Sequence, residues 1–143
     1  MRIVAGVVVL GVALLGAALA AEPPALKSQT TCPVSGEAID KTVHVDYQGQ
    51  RVYFCCNKCA ARFRKDPEKI FSKVESDGVQ LENIQTACPV SGEQLGGPDM
   101  GAPVIVRYKG RTVKLCCKMC APKFEKDPAK YLAKLPGEAI PTS

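Results

Sequence analysis

The chain has 143 residues and a modest positive balance, with 19 Lys and Arg against 14 Asp and Glu. These charges are spread along the sequence, so no nucleic-acid-binding surface is expected. All eight cysteines come after residue 31, four in each half of the remaining chain. A single histidine, with no Gly-rich phosphate loop and no Ser/His/Asp set, provides no catalytic machinery, and we expect no enzyme.

Residues 1–20 have the pattern of a secretory signal peptide. Met1 and Arg2 precede an uncharged apolar run that ends in Ala18-Leu19-Ala20, with small residues where a signal peptidase reads the chain. We therefore expect cleavage, a periplasmic or secreted bacterial protein, and no stable membrane insertion afterwards. The alternative is an uncleaved anchor, because an apolar run of about 18 residues is at the lower limit for crossing a bilayer.

An internal duplication organises the rest of the chain. Residues 30–74 and 86–135 share CPVSGE, an alternating segment, CCxxC and a phenylalanine followed by Asp-Pro. The extra residues of the second copy are rich in Gly and Pro and are expected to form a loop. We predict two modules, a linker at 75–85 and a disordered tail at 136–143. Modules of around 45 residues bury little core and usually need a disulfide, a metal or a partner.

Within each module the periodicity changes from that of a strand to that of a helix. In the first module, segments 43–47 and 51–55 surround a turn at Gln48-Gly49 and predict a β-hairpin. Apolar residues at helical spacing follow the cysteines, and Asp66-Pro67 fits an N-cap with proline at the first helical position. The second module repeats this plan at 104–108, 112–116 and Asp127-Pro128. The predicted fold class is therefore α+β.

The cysteines occupy one turn and one strand-to-helix junction per module. Cys32 lies in a Pro/Gly turn, where backbone N–H groups are expected to point at the sulfur, and Cys55, Cys56 and Cys59 lie where a strand runs into a helix. The N-terminus of a helix stabilises thiolate, the form that binds metal. A turn and a helix start joined by a hairpin have the geometry of treble-clef zinc fingers, and soft ligands suit zinc or copper(I). The equivalent residues of the second module are Cys88, Cys116, Cys117 and Cys120.

This order of motifs resembles the YHS domain and the related TRASH domain. The segments Tyr53-Phe54-Cys55 and Asp66-Pro67-Glu68-Lys69, on either side of Phe63, are similar to the helical end of a YHS domain. These domains are treble-clef-like modules associated with heavy-metal trafficking, sensing and resistance. The resemblance implies three metal-binding cysteines per module, Cys32, Cys55 and Cys59 in the first and Cys88, Cys116 and Cys120 in the second.

The chain departs from this family pattern in two places. Ser35 and Ser91 replace a second turn cysteine that many relatives have, and Cys56 and Cys117 add a vicinal thiol that many relatives lack. The fourth ligand therefore stays open between the vicinal cysteine, an external molecule and no ligand at all. We predict one zinc or copper(I) ion per module, in a protein that buffers, delivers or senses the metal, with another periplasmic metal-handling protein as a possible partner.

Two other interpretations compete with metal trafficking. In an exported chain, eight cysteines also fit a disulfide framework, or a structural zinc, that holds an interaction module together. Adjacent cysteines bridge each other only with strain, which favours metal binding. The CxxC pairs resemble a thiol redox signature but lack the βαβ context of that signature. His44 is expected on the solvent face of its strand, and Met119 is expected to pack rather than bind copper(I).

Overall fold

The computed structural model describes residues 25–98 and 100–140. The predicted signal peptide lies outside these residues. The described chain combines helices and strands, as expected for an α+β protein. Its elements are β1 (Lys27–Ser28), β2 (Asp40–Tyr47), β3 (Gln50–Phe54), α1 (Asn57–Lys65), α2 (Pro67–Ser76), β4 (Val79–Gln80), β5 (Glu82–Asn83), β6 (Val104–Tyr108), β7 (Arg111–Leu115), α3 (Cys120–Lys126) and α4 (Pro128–Leu132). Within the described ranges, every helix is too short or too polar to cross a bilayer.

Both predicted hairpins are present. β2 pairs antiparallel with β3, and β6 pairs in the same way with β7. The two turn residues of the first hairpin, Gln48 and Gly49, have φ of 47° and 77°, and those of the second, Lys109 and Gly110, have φ of 46° and 75°. Positive φ at both central positions is the type I′ geometry that matches the twist of paired strands. Glycine at the second position therefore fixes the register of each hairpin.

Each hairpin is followed by two consecutive helices, and the predicted caps separate them. The Asp66 side chain accepts a hydrogen bond from the backbone N–H of Lys69 at 3.1 Å, and Asp127 accepts from Lys130 at 3.3 Å. The prolines that follow occupy the first turn of α2 and α4, where a missing N–H costs nothing. This confirms the predicted N-caps and places a sharp bend after α1 and α3.

Each module has its own apolar core, and the cysteines lie at one end of it. In the first module Phe63 packs between Phe54, Tyr47 and Phe71, with ring centroids 5.5–6.0 Å apart. In the second, Phe124 occupies the equivalent place and contacts Tyr108. Cys32, Cys59 and their counterparts are part of these buried clusters. The core therefore anchors the same residues that were predicted to bind metal.

A glutamine before each cysteine turn fastens that turn to the hairpin. Gln29 accepts a hydrogen bond from the backbone N–H of Tyr53 and donates one to its carbonyl. Gln85 makes the same pair of bonds with Lys114, which is the equivalent position in the second module. Each amide side chain therefore pairs with the strand edge as another strand would. The duplication thus extends one residue further towards the N-terminus than the sequence comparison predicted.

The two modules pack against each other through their hairpin turns. An added Cβ at Gly110 would lie 2.3 Å from the carbonyl oxygen of Phe71 in α2 of the first module. An added Cβ at Gly49 would lie 3.3 Å from the side chain of Leu135 in the second module. Each turn thus contacts the C-terminal helical region of the other module, and the contact is reciprocal.

Polar and charged side chains complete this junction. The fully buried Gln50 amide donates to the carbonyl of Thr112 at 2.9 Å. Arg111, which is 1% exposed, stacks on Phe71 with its guanidinium carbon 3.8 Å from the ring centroid and also pairs with Glu68. Cation–π stacking and ion pairing reduce the cost of burying this guanidinium, whose Nε atom has no hydrogen-bond partner among the described residues.

The segment 75–85 is more than a flexible linker. Strand β5 adds to the edge of β3, with Gln50 opposite Asn83, and β4 pairs in parallel with β1. The side chain of Asn83 also donates to the carbonyl of Thr112 in the second module. This segment therefore extends the first sheet and contacts both modules.

The structure differs from the predicted disordered tail over residues 136–140. The carbonyl of Pro136 accepts from the N–H of Gly49 at 2.8 Å, and the N–H of Glu138 donates to the carbonyl of Asp46 at 2.7 Å. The Glu138 carboxylate pairs with Arg64 of α1 at 2.7 and 2.8 Å. Since backbone bonds and one ion pair produce no hydrophobic periodicity, sequence pattern alone did not reveal this segment. The remaining predicted tail residues lie outside the described ranges.

Candidate metal centre

Three cysteine sulfurs converge at the same place in each module. The Sγ atoms of Cys32, Cys55 and Cys59 all lie within 4.8 Å of one another. Those of Cys88, Cys116 and Cys120 form an equivalent group. These are the residues that the family resemblance implied, and the fold brings them together from a turn, a strand end and a helix.

The CPVSG turn positions the first sulfur of each group. The N–H of Cys32 donates to the carbonyl of Glu37 at 2.7 Å, and its carbonyl accepts from Gly36 at 2.8 Å. Gly36 has a φ of 80°, a conformation that side chains disfavour, which explains a glycine at this place. The second module repeats both bonds at Cys88. Each turn is therefore closed by its own backbone hydrogen bonds.

The turn also stabilises the thiolate of its cysteine. Burial raises the pKa of the Cys32 thiol, but hydrogen bonds from the Ser35 side chain and from the backbone N–H groups of Cys55, Ser35 and Val34 outweigh it and lower the pKa to about 7. In the second module, burial at Cys88 is opposed by the same kind of bonds from Ser91 and nearby N–H groups, and the pKa is again about 7. Cys32 and Cys88 are therefore the thiols best prepared to bind a cation at neutral pH.

The serine that replaces the second turn cysteine lies at the cluster. Ser35 Oγ is 3.2 Å from Cys55 Sγ, and Ser91 Oγ is 3.2 Å from Cys116 Sγ. The bond with Ser35 lowers the pKa of Cys55, but burial and hydrogen bonding with Cys59, Glu37 and Cys56 raise it to about 12. The protonated form of Cys55 is therefore favoured at neutral pH.

The vicinal cysteines lie beside these groups rather than within them. Cys56 Sγ is 3.7 Å from both Cys55 Sγ and Cys59 Sγ, but it is absent from the set of sulfurs that are mutually within 4.8 Å. Cys117 has the same relation to Cys116 and Cys120, at 3.8 and 3.6 Å. The predicted role of these two cysteines as fourth ligands stays a prediction.

The two other candidate ligands from the sequence are exposed. His44 lies on the solvent side of β2, and its ring packs edge-on against Tyr53 with centroids 5.9 Å apart. Met119 is 76% exposed, so it does not pack in the core as predicted. It lies at the cap position before α3, where its side chain extends into solvent.

All eight cysteines lie in the described ranges, and all are free thiols. A group of three closely spaced sulfurs, of which two are buried, offers soft ligands to a cation such as zinc or copper(I). Sequence reasoning missed Gln29 and Gln85, which hold the turn in place. The signal that could have revealed them is that glutamine occupies the equivalent position in both repeats.

The low pKa of Cys32 and Cys88 predicts a pH effect in the metal-free protein. The folded-state pKa of about 7 lies below the ordinary thiol value of 9.0, so the folded state binds fewer protons between these values. The free energy of unfolding should therefore rise from about pH 7 to pH 9, and this contribution should be lost as the pH falls through 7. Ultraviolet thiolate absorbance, followed against pH, should show ionisation near pH 7.

Two serine-to-alanine variants test whether the Ser35 hydroxyl stabilises the thiolate. Ser35→Ala removes a bond that lowers the pKa of Cys32, so the ionisation midpoint of the first module should move upward. Ser72→Ala, at an exposed position on α2, should leave the titration unchanged. A titration of Ser35→Ala identical to that of the unaltered protein would show that the hydroxyl does not stabilise this thiolate.

Comparison with protein families supports the assignment of the first module. A family model described as the YHS domain matches residues 31–73, which include the first three-cysteine group. Comparisons with curated proteins and with solved structures give no match. The family is associated with metal binding or handling, which agrees with the convergence of Cys32, Cys55 and Cys59. Residues 31–73 of this chain are therefore a YHS domain that carries a cysteine cluster able to hold a metal ion.

Proposed function

We propose that this protein is an exported carrier of soft metal ions that holds one copper(I) or zinc ion in each module. It would buffer the metal or deliver it to another periplasmic metal-handling protein. The observation that carries the proposal is the presence of two three-sulfur groups with the same geometry. In both groups one sulfur is preset by a closed turn and two come from a strand-to-helix junction.

The number of converging ligands favours a mobile ion over a purely structural one. Structural zinc sites are almost always closed by four protein ligands. Here each group of mutually close donors contains three cysteines. Three thiolates satisfy copper(I), which accepts low coordination, and leave an open position on zinc. An incomplete shell allows an acceptor molecule to approach the ion.

The second module is proposed as a second domain of the same kind, so that the protein contains tandem YHS/TRASH-like, treble-clef-like units. The support comes from the equivalent hairpin, capped helices and cysteine group. Its loop at 96–103 is longer than the corresponding part of the first module, and this difference lies outside the elements that hold the cysteines.

Export and the absence of catalysis are further parts of the proposal. Export rests on the charged, apolar and Ala-x-Ala pattern of residues 1–20. A role in binding rather than catalysis rests on the composition, since the chain has one histidine and that histidine lies on a strand surface. The clusters are then sites where a metal is held and exchanged.

Native mass spectrometry of full-length protein purified from the periplasm, with thiol alkylation in parallel, tests this function. We expect two metal ions per chain, and eight thiols that react after a chelator removes the metal. Recovery of the processed protein from the periplasmic fraction would support export. A metal-free mass lowered by two hydrogens per bridge, with thiols that react only after reduction, would instead support the disulfide framework or a redox role.

A further inference from the structure

The fourth thiol of each module has a geometry that the three-ligand site does not use. In the first module, Cys55, Cys56 and Cys59 form a triangle of sulfurs with every side 3.7 Å long. The second module has a matching triangle, with sides of 3.8, 3.6 and 3.6 Å. We call these the outer triangles, and we call the groups that contain Cys32 and Cys88 the inner triangles.

The inner and outer triangles share one edge. The sulfurs of Cys55 and Cys59 belong to both, whereas Cys32 belongs only to the inner triangle and Cys56 only to the outer one. Zinc–sulfur distances of about 2.3 Å in a tetrahedral site place every pair of sulfurs about 3.8 Å apart. The outer triangle already has this spacing. Cys56 completes the outer triangle with Cys55 and Cys59, whereas Cys32 completes the inner triangle with the same two sulfurs.

The two triangles differ in their access to solvent. Cys32 at the far corner of the inner triangle is 1% exposed. Cys56 at the far corner of the outer triangle is partly exposed, and it is followed by the exposed residues Asn57 and Lys58. Cys88 and Cys117 repeat this contrast in the second module. One triangle therefore faces the core, and the other faces the surface.

From this geometry we propose that Cys56 and Cys117 form an exchange position through which the metal ion enters and leaves each module. This inference rests on the proposed function, since it describes how the same cluster releases its ion. The ion moves across the shared edge from the inner to the outer triangle. From there it passes to a thiol-bearing acceptor, either a small thiol or a cysteine of a second protein.

The exchange is a substitution of ligands without oxidation or reduction. The thiol of Cys56 loses its proton to solvent as its sulfur binds the ion, and the bond between the ion and Cys32 breaks. The sulfur of Cys32 is left as a thiolate in its closed turn. The ion keeps three sulfur ligands throughout, and an acceptor thiolate then replaces those of the outer triangle one at a time.

Copper(I) loading and release by the full-length protein test this proposal. The variants are Cys56→Ser and Cys117→Ser, separately and together, with Cys56→Ala as a second form that checks for serine-specific effects. Asn57→Ser and Lys118→Ser are the matched controls, because each changes the exposed residue next to an exchange cysteine. Copper(I) stoichiometry is measured by native mass spectrometry, affinity by competition with a coloured copper(I) chelator, and release by the rate at which excess chelator takes up the ion.

We expect the exchange variants to keep two copper(I) ions per chain, because the three sulfurs of each inner triangle remain. In the double variant, release should be slowed by about tenfold or more, whereas the control variants should release at the unaltered rate. An unchanged release rate would overturn the exchange position.

Loss of an ion from Cys56→Ser or Cys117→Ser would also overturn it, by showing that these residues are ordinary ligands, while the proposed metal-binding function would stand. Failure of the unaltered protein to bind copper(I) or zinc would contradict the proposed function itself. Circular dichroism of each variant shows whether the fold is intact, and the Cys56→Ala form provides the release rate if the serine variant is unfolded.

Discussion

Replacement of Cys59 by serine is expected to remove one of the two metal ions, and Cys120→Ser is expected to remove the other. Each of these sulfurs belongs to both triangles of its module, so its loss leaves neither with three thiols. The affinity of the altered module should fall by more than about 100-fold, beyond the effect of losing a group that only supports a ligand. Native mass spectrometry and chelator competition measure the two quantities.

The unaltered module of each single variant is an internal control. Cys59→Ser should keep the ion of the second module, and Cys120→Ser should keep that of the first. The double variant should bind no metal. A metal count that stays at two in either single variant would contradict the two-site arrangement and would place the ion somewhere other than the cysteine groups.

A large loss of stability is expected from a substitution at the contact between the modules. In Gly110→Ala the new Cβ would lie 2.3 Å from the backbone oxygen of Phe71, and α2 would have to move. The residue would also be held at a φ of 75°, which L side chains disfavour. We expect a loss of about 3 kcal/mol in the free energy of unfolding, from backbone strain of about 1 kcal/mol and overpacking of about 2 kcal/mol. Chemical denaturation of the metal-free protein measures this loss.

Two other glycines with positive φ separate the contributions of strain and overpacking. Gly92→Ala has the same kind of strain at a φ of 81°, with nothing within 4 Å of the new Cβ, so it should lose about 1 kcal/mol. In Gly49→Ala the nearest atom is 3.3 Å away, at the end of the Leu135 side chain, which can move aside. Its loss should be close to that of Gly92→Ala. Equal losses in all three variants would show that the turn of the second module does not press on the first.

Local structure could be predicted from the sequence because short-range chemistry fixes it. The turns at Gln48-Gly49 and Lys109-Gly110 require positive φ, and glycine after a polar residue is the usual solution. Aspartate before proline gives a cap followed by a residue that needs no N–H donor, which fixes where α2 and α4 begin. Since the duplication repeats both signals, each module supported the interpretation of the other.

The arrangement of the modules could not be predicted in this way. Gln50 and Arg111 occupy the same position in the two repeats, just after the hairpin turn, and they appear as polar surface residues in the sequence. Both are buried, because each contacts the other module. Hydrophobic periodicity describes burial within a single element and contains no information about a partner module. The interface between the modules could therefore be identified only from the three-dimensional structure.

The members of each cysteine cluster could be predicted from the sequence, but their grouping could not. Spacing and family resemblance pointed to Cys32, Cys55 and Cys59, and these sulfurs do converge. Adjacent residues on a chain need not belong to the same group of sulfurs: Cys55 belongs to the group that contains Cys32, and its neighbour Cys56 is in contact with Cys55 and Cys59 beside that group.

The segment 136–140 has a consequence for the order in which the protein is completed. Pro136 and Glu138 bind the turn and edge of the first hairpin, and Glu138 also pairs with Arg64. The first module is synthesised well before these residues, so its nascent form lacks their contacts until the second module has also emerged. A chain that ends before residue 136 would therefore have its first cysteine group on a module without these contacts.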